Sequence, residues 1–400
     1  MSDGWQESTL GKVTTRRKDF TAVHADARYR IVGVQRSGWG LVDRAPVRGD
    51  SMKFEKLLEL HTDDLVYRTI TAFEAPSAVV PSEFDGAFVT PQTFPTYSID
   101  RSQVLPGYVA LLTTSPEFHE AMAARCVGSV LRRKTLSQSA FESIPLMLPS
   151  LDEQRRIVDL IGAVDDAVDA AEAEAAAGGI VRREAVDALL ELHGGPELTE
   201  LGKLGTFERG RRFTKKDYVA DGLGCIHYGQ IYTDYGATAS ETLSFLPLSF
   251  RDSARLAHPG DLVIAGTGEN VEEIGKAVAW LGRESVAVHD DAFIFRHELD
   301  PVFASALFIS SLFLRQRAPS DSKVARLSAG SLAKIRVPVV PEQVQRRVGA
   351  LMIALDESVS DSRATAEALR ALRSNVLTAL LSGEHEIPSS YDALLEEAAA

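Results

Sequence analysis

Arg209, Arg211, Arg212, Lys215 and Lys216 crowd into "ERGRRFTKKDY" (208–218), and "HYGQIYTDYG" (227–236) follows with Tyr228, Gln230 and Tyr232 between glycines. Lysine and arginine at turns suit phosphate oxygens, which give affinity without sequence information. Asn, Gln and Arg make the bidentate base-edge contacts that tell bases apart in a major groove. "GTGENVEE" (266–273) reads as a flexible loop with Asn270 at its tip, and Lys323 and Arg326 lie further on. The first half of the chain has its own set: Arg16, Arg17 and Lys18 in "TTRRKD" (14–19), Arg28, Arg30 and Arg36, then Arg132, Arg133 and Lys134 in "LRRK" (131–134). A solvated surface charge is the ordinary account of any one of them. As a set recurring in both halves they favour DNA contact.

Other chemistries find no footing. Gly268 to Gly275-Lys276 imitates a phosphate loop, but six residues intervene instead of four, and Ala277 follows the lysine. No G-x-G-x-x-G follows a strand. "DPVF" (300–303) lacks the second proline of the aminomethyltransferase tetrapeptide, and proline at a helix start explains it. "HDD" (289–291) has no second ligand cluster and reads as a polar strand end. Cys126 and Cys225 have no metal-ligand spacing. No catalytic residue and no metal ligand is nominated, which points to a recognition protein and not an enzyme.

The elements that must position these clusters are written twice. "LDEQRRIVDLIGAVDDAVD" starts at Leu151 and "EQVQRRVGALMIALDESVS" at Glu342; Gln154-Arg155-Arg156 precede Gln345-Arg346-Arg347 by 191 positions. The offset runs from Leu136-Ser137 against Leu327-Ser328 to "DALL" (187–190) against "TALL" (378–381). With small gaps, "DDLV" (63–66) also matches "GDLV" (260–263). The unit is a variable block of roughly 150 residues followed by a helical block. Ile157, Leu160, Ile161, Val164, Val168, Ala171 and Ala175 form one apolar stripe; Val348, Leu351, Leu355, Val359, Ala366, Leu369, Leu372, Val376 and Leu380 form the other. Each stripe needs cover, and the simplest cover is the other, as a coiled-coil-like pair. Gly178-Gly179 is expected to break or kink the first helix. The variable blocks read as α+β: "FVTPQTFPTYSI" (88–99) and "AVAWLGRESVAVHDDAFIFRH" (277–297) carry strand patterns, and a helix follows each at 106–125 and 301–317.

The formal net charge of −13 at first opposes nucleic acid, but it is local. Residues 151–200 hold 13 acids and 4 bases, and residues 341–400 hold 10 acids and 5 bases; elsewhere 33 acids meet 34 bases. The acidity belongs to the two helical blocks. Few cysteines, no apolar signal core and no run long enough to span a bilayer make a reducing cytoplasm the expected setting, with no membrane partner.

At this point the sequence resembles a specificity subunit of a Type I restriction-modification system. "PLMLPSLDEQRRIVDLI" (145–161) and "RVPVVPEQVQRRVGAL" (336–351) carry the likeness most, with "GRRFTKKDY" (210–218), "HYGQIYTDYG" (227–236), "GDLVIAGTGENVEEIGKAV" (260–278) and "NVLTALLSGEHEIP" (375–388) next, through their order along the chain. Val344 departs from it, standing where the first half has Glu153. The resemblance implies two α/β target-recognition domains related by a pseudo-twofold repeat and separated by two long antiparallel helices. The boundaries follow: residues 1–149 and 194–340 are the recognition domains, 150–193 and 341–385 the helical regions, and 386–400 a flexible tail. Each domain reads one half of a split site on double-stranded DNA. The helices set the gap and dock two methyltransferase subunits. By the same resemblance this chain is expected to hold no cofactor of its own; S-adenosylmethionine, ATP and Mg are expected on the partner subunits. Three other readings stay open: the specificity subunit of another phage-defence or Type II-like methyltransferase system, a non-DNA coiled-coil scaffold, and an enzyme in its own right.

Overall fold

A computed structural model describes residues 5–130, 133–194, 197–268, 274–317 and 325–393. The chain divides into two compact units, Met1–Val168 with Ala368–Ala400, and Asp169–Glu367. The helices are α1 (Leu10–Val13), α2 (Pro106–Thr113), α3 (Pro116–Ala124), α4 (Gln138–Glu142), α5 (Leu151–His193), α6 (Leu201–Leu204), α7 (Tyr228–Thr233), α8 (Pro301–Leu307), α9 (Ser311–Gln316), α10 (Ala329–Ala333) and α11 (Glu342–Leu381). Each long helix, α5 and α11, contributes one part to each unit.

In the first unit a four-stranded antiparallel sheet runs Ser77–Val79, Leu65–Tyr67, Thr96–Ile99, Thr14–Arg16. Tyr67 stacks on Phe141 at 3.8 Å between ring centroids, and both are buried. In the second unit the matching sheet has five strands, in the order Gly205–Arg209, Ala292–His297, Leu262–Ala265, Ala277–Trp280, Thr238–Ala239. Its three central strands, Ala292–His297, Leu262–Ala265 and Ala277–Trp280, are mostly buried and read as near-continuous apolar runs. A second sheet there runs Ser244–Leu246, Leu223–Ile226, Val286–Val288, Leu256–Ala257. The single helices expected over 106–125 and 301–317 are each two. Ser115 and Ser310 have extended backbone, and their hydroxyls cap Phe118 N–H and Phe313 N–H, so each starts a new helix.

The repeat reaches further upstream than the 136/327 match. "LGKV" (10–13) and "LGKL" (201–204) are also 191 apart. Ser8 pairs with Leu146 and Thr199 with Val337, while Leu10 N–H donates to Ile144 O and Leu201 N–H to Ile335 O. All of these are equivalent positions.

The two stripes meet inside each unit. In the second, Gly178 of α5 faces Val359 of α11, and Arg182 pairs with Asp356. In the first, Asp165 of α5 pairs with Arg373 of α11, Nη2 to Oδ2 3.0 Å, and Ile157 and Ile161 share a core with Leu377 and Leu380. Asp165 and Arg182 are the 191-offset partners of Asp356 and Arg373. One ion pair has been built twice, with donor and acceptor exchanged between the helices.

Three expectations are corrected. Gly178-Gly179 does not interrupt α5, which is helical from Leu151 to His193. A Cβ on Gly178 would stand 2.7 Å from Val359 Cγ2, so glycine there permits close helix packing. Gly179 faces open space. Gly178→Leu therefore costs about 2 kcal/mol by overpacking, whereas Gly179→Ala gains up to about 1 kcal/mol of helix propensity. Urea unfolding of both variants checks this, and equal shifts of the same sign would contradict the contact. Second, Leu351 and Leu372 are 38% and 49% exposed and drop out of the expected stripe, while Val348, Val359 and Ala366 stay in it buried beside Met352. Third, the tail is packed as far as it is described. Ile387 is buried, its N–H donates to Glu153 Oε1 at 2.8 Å, and Arg156 pairs with Asp392 at 2.7 Å. The residue 191 before Ile387 is Pro196, which has no N–H to give, and Val344 replaces Glu153 as the would-be acceptor. The one departure in the repeated junction thus tracks the tail contact.

Candidate nucleic-acid interface

The repeat marker "DDLV/GDLV" anchors the same device in both units. Asp64 and Asp261 are buried, and each closes a tight turn by accepting a backbone N–H, from His61 at 2.9 Å and His258 at 2.8 Å. Each also holds an arginine from a neighbouring strand or strand end: Arg17 on Asp64, and Arg296 on Asp261 at 3.4 Å. The strand that follows ends in a loop pinned by a second chain segment. Leu136 N–H donates to Thr69 O, and Leu327 N–H to Gly266 O. Ile70 bridges Thr135 as Thr267 pairs with Arg326. Thr135 and Arg326 are 191 apart. Each unit therefore presents one equivalent pair of loops at the same end of its sheet.

In the second unit this pair lines a cavity of about 270 Å³ together with Arg209, Asp290, Asp291 and Ser328. Arg209 Nε donates to Asp290 O at 2.6 Å, and its guanidinium lies 3.9 Å from Asp291. Beside it, "GRRFTKKDY" is a staple. Phe213 is 4% exposed, packed with Leu223, Cys225, Leu246 and Ala287. Thr214 and Asp217 close the next turn, with Thr214 N–H donating to Asp217 Oδ2 at 2.7 Å. Arg211 and Arg212 on one side and Lys215 and Lys216 on the other are exposed. A fixed apolar anchor thus presents two basic pairs to solvent.

The rings of Phe213 and His289 meet edge to face at 5.0 Å, and His227 and His289 lie 4.2 Å apart. Burial first, then His289 and Lys215, push His227 down to about 4, while Asp291 and Asp290 oppose the shift. His227 is neutral at pH 7, and its Nδ1 accepts Gly229 N–H as the cap of α7. His289, Asp290 and Asp291 bring ligand atoms within 4.8 Å of one another. His289 Nδ1 accepts Asp291 N–H at 3.1 Å and both carboxylates face Arg209, and the triplet forms the turn between the strands Val286–Val288 and Ala292–His297.

The nominated side chains fall into four groups. Lys18, Arg36, Arg133, Arg209, Arg211, Arg212, Lys215, Lys216 and Arg326 are exposed, and Lys134 is half-buried beside them. Arg17, Gln230 and Tyr232 serve the fold. The Arg17 side chain is 9% exposed between Asp19 and Asp64. Gln230 accepts His227 N–H and donates to Ser244, and Tyr232 OH donates to Thr267 O at 2.9 Å. Arg16 and Tyr228 are half-buried, the latter packed on His227. Arg132, Asn270 and Lys323 lie outside the described residues. The sequence reading passed over Arg68, whose guanidinium bonds Ile70 O and Glu74 inside the first loop pair, and the hairpin that carries Trp39. The signal for the hairpin was the run "SGWG" (37–40), a tryptophan between two glycines.

No helix among the described residues is long and apolar enough to cross a membrane. By sequence the chain matches no family model and no curated protein. By structure it is similar to a chain from work on the complex assembly and conformational transition of the Type I R-M system, at TM-score 0.56 and 18% identity, over 95% of this chain and 98% of that one. It is also similar to the Type I restriction-modification system S subunit from M. genitalium, at TM-score 0.50 and 14% identity, over 94% and 96%. The chain thus has the fold of a Type I restriction-modification S subunit.

Proposed function

We propose that this chain is the DNA-recognition subunit of a Type I restriction-modification complex. Each unit reads one half of a bipartite site on double-stranded DNA, and the helices α5 and α11 set the gap between the halves. The observation that supports this best is the duplicated loop pair, Ile70 with Thr135 and Thr267 with Arg326, presented beside exposed cations in both units. Equivalent framework with different side chains is what two independent readers require. Half-sites about one helical turn apart, roughly 34–36 Å, suit such a protein.

The partners are two methyltransferase subunits, with restriction subunits joining them. Val181 and Leu372 are 191 apart, 51% and 49% exposed, and each directly precedes an arginine of the repeated ion pair. They offer one docking residue in two copies, suited to two copies of one partner. S-adenosylmethionine, ATP and Mg reside on those partners, and this chain contributes no catalytic group.

The test is a unit exchange read by methylome sequencing. Replacing residues 194–340 with the corresponding segment of a relative of different specificity changes one half of the methylated motif and leaves the other half intact. A change in both halves, or in neither, contradicts the reading. Purified chain given DNA and S-adenosylmethionine without partners transfers no methyl group.

A further inference from the structure

Trp39 is 62% exposed, yet nothing around it is loose. Gln35 N–H donates to Gly40 O at 2.9 Å, Trp39 N–H to Arg36 O at 3.0 Å, and the Gln35 amide to Trp39 O and Leu41 O. Gly38 has φ +69°, and a Cβ there would stand 2.5 Å from Thr113 O, so the tip rests on the end of α2. The Arg36 guanidinium lies over the indole at 4.6 Å. The strands Val32–Val34 and Leu41–Asp43 thus carry a rigid tip that holds one aromatic ring and one cation against each other in solvent.

This tip is tied to the first unit's loop pair. Ser37 N–H donates to Glu74 O at 2.8 Å, and Glu74 accepts Arg68, which also bonds Ile70 O. Ile70 then bridges Thr135, next to Arg133 and Lys134. Ser37, Thr71 and Ala75 are three of the four non-glycine residues with positive φ among the described residues. Backbone strain collected in two touching loops marks a surface held for use. A stable fold gains nothing from an exposed indole, whereas a groove of DNA offers it sugars and base edges and offers its guanidinium a phosphate.

We propose that Trp39 is a recognition residue of the first half-site, packing against the duplex while Arg36 meets a phosphate beside it. The inference rests on the DNA-recognition reading above and adds to it a residue outside the basic clusters. It is tested with the full chain and a duplex carrying the motif found by methylome sequencing. Trp39→Ala weakens binding about tenfold, and because no charge is lost the salt dependence stays as in the wild type. Trp39→Phe keeps most of the affinity. In a Trp5→Phe background, which removes the half-buried third tryptophan, DNA quenches the tryptophan fluorescence, and this quenching disappears once Trp39→Phe is added, since the remaining Trp280 is buried with its N–H on Glu284 O. Wild-type affinity in Trp39→Ala, or quenching that persists in Trp39→Phe, overturns the assignment. A second variant separates the two levels of failure. If alanine at Arg211, Arg212, Lys215 and Lys216 weakens binding while Trp39→Ala does not, only the role of Trp39 is lost. If neither set of changes weakens binding, the recognition reading falls with it.

Discussion

Alanine at Arg211, Arg212, Lys215 and Lys216 together weakens duplex binding about 100-fold or more and flattens the dependence of log K on log salt by roughly 3 to 4. The argument is one of counterions. Each phosphate contact releases about 0.9 of a condensed cation, which is worth roughly 1 kcal/mol near 0.1 M salt. Four such contacts outweigh the specific hydrogen bonds of any single base pair. The fold is spared, because all four side chains are exposed, while Phe213 and the Thr214–Asp217 cap that shape the segment are untouched. The acidic helices do not cancel the effect. At ~0.1 M salt exposed charges are screened beyond about 10 Å, so the net −13 of the chain is not what a phosphate near the staple meets. Equilibrium binding across a salt series measures both quantities. Unchanged affinity with an unchanged slope would favour the scaffold reading, in which these cations are solvated surface.

The same segment shows what a sequence discloses and what it hides. "GRRFTKKDY" was legible as a basic cluster because its logic is local: a buried phenylalanine, a capped turn and two flanking pairs lie within nine residues. Arg17 looked identical in kind, yet its partner Asp64 is 47 positions away, and only the strand order brings them together. Gln230 and Tyr232 were read as base-reading candidates because the residue types fit, but α7 spends them on its own cap and on Thr267. The long helices were legible through their 3.6-residue period. Gly178 was not, since helix propensity is a property of the segment and Val359 lies on the other helix. The difference between Glu153 and Val344 was visible as a departure, but its meaning depended on where the tail runs.

Gln154→Ala destabilises the first unit by about 3 kcal/mol, and Gln345→Ala the second by about 2 kcal/mol. These two glutamines sit 191 apart in the repeated junction and do the same work. Gln154 is fully buried; its carbonyl accepts Leu105 N–H at 2.8 Å, and its amide donates to Gln103 O at 3.2 Å and Pro149 O at 3.0 Å. Gln345 accepts Asp300 N–H at 2.9 Å and donates to Val340 O at 3.0 Å. Leu105 and Asp300 precede the prolines that open α2 and α8, so each glutamine ties the start of a long helix to the start of a helix in its own recognition block. Alanine leaves those backbone groups without these partners, buried at Pro149 and Val340 and half-buried at Leu105 and Asp300, at about 1–3 kcal/mol for an orphaned group, partly relieved by relaxation and water. Gln154 makes three such bonds and Gln345 two, which sets the order of the effects. Gln154→Glu does not rescue the first unit, because a carboxylate keeps the acceptor for Leu105 but loses both donors and buries charge beside Glu153. Urea unfolding gives the size of each loss, and hydrogen exchange at the Leu105 and Asp300 amides locates it. If both alanine variants unfold at the wild-type midpoint, the glutamine clamps contribute nothing, and the long helices are held to their recognition blocks by apolar packing alone.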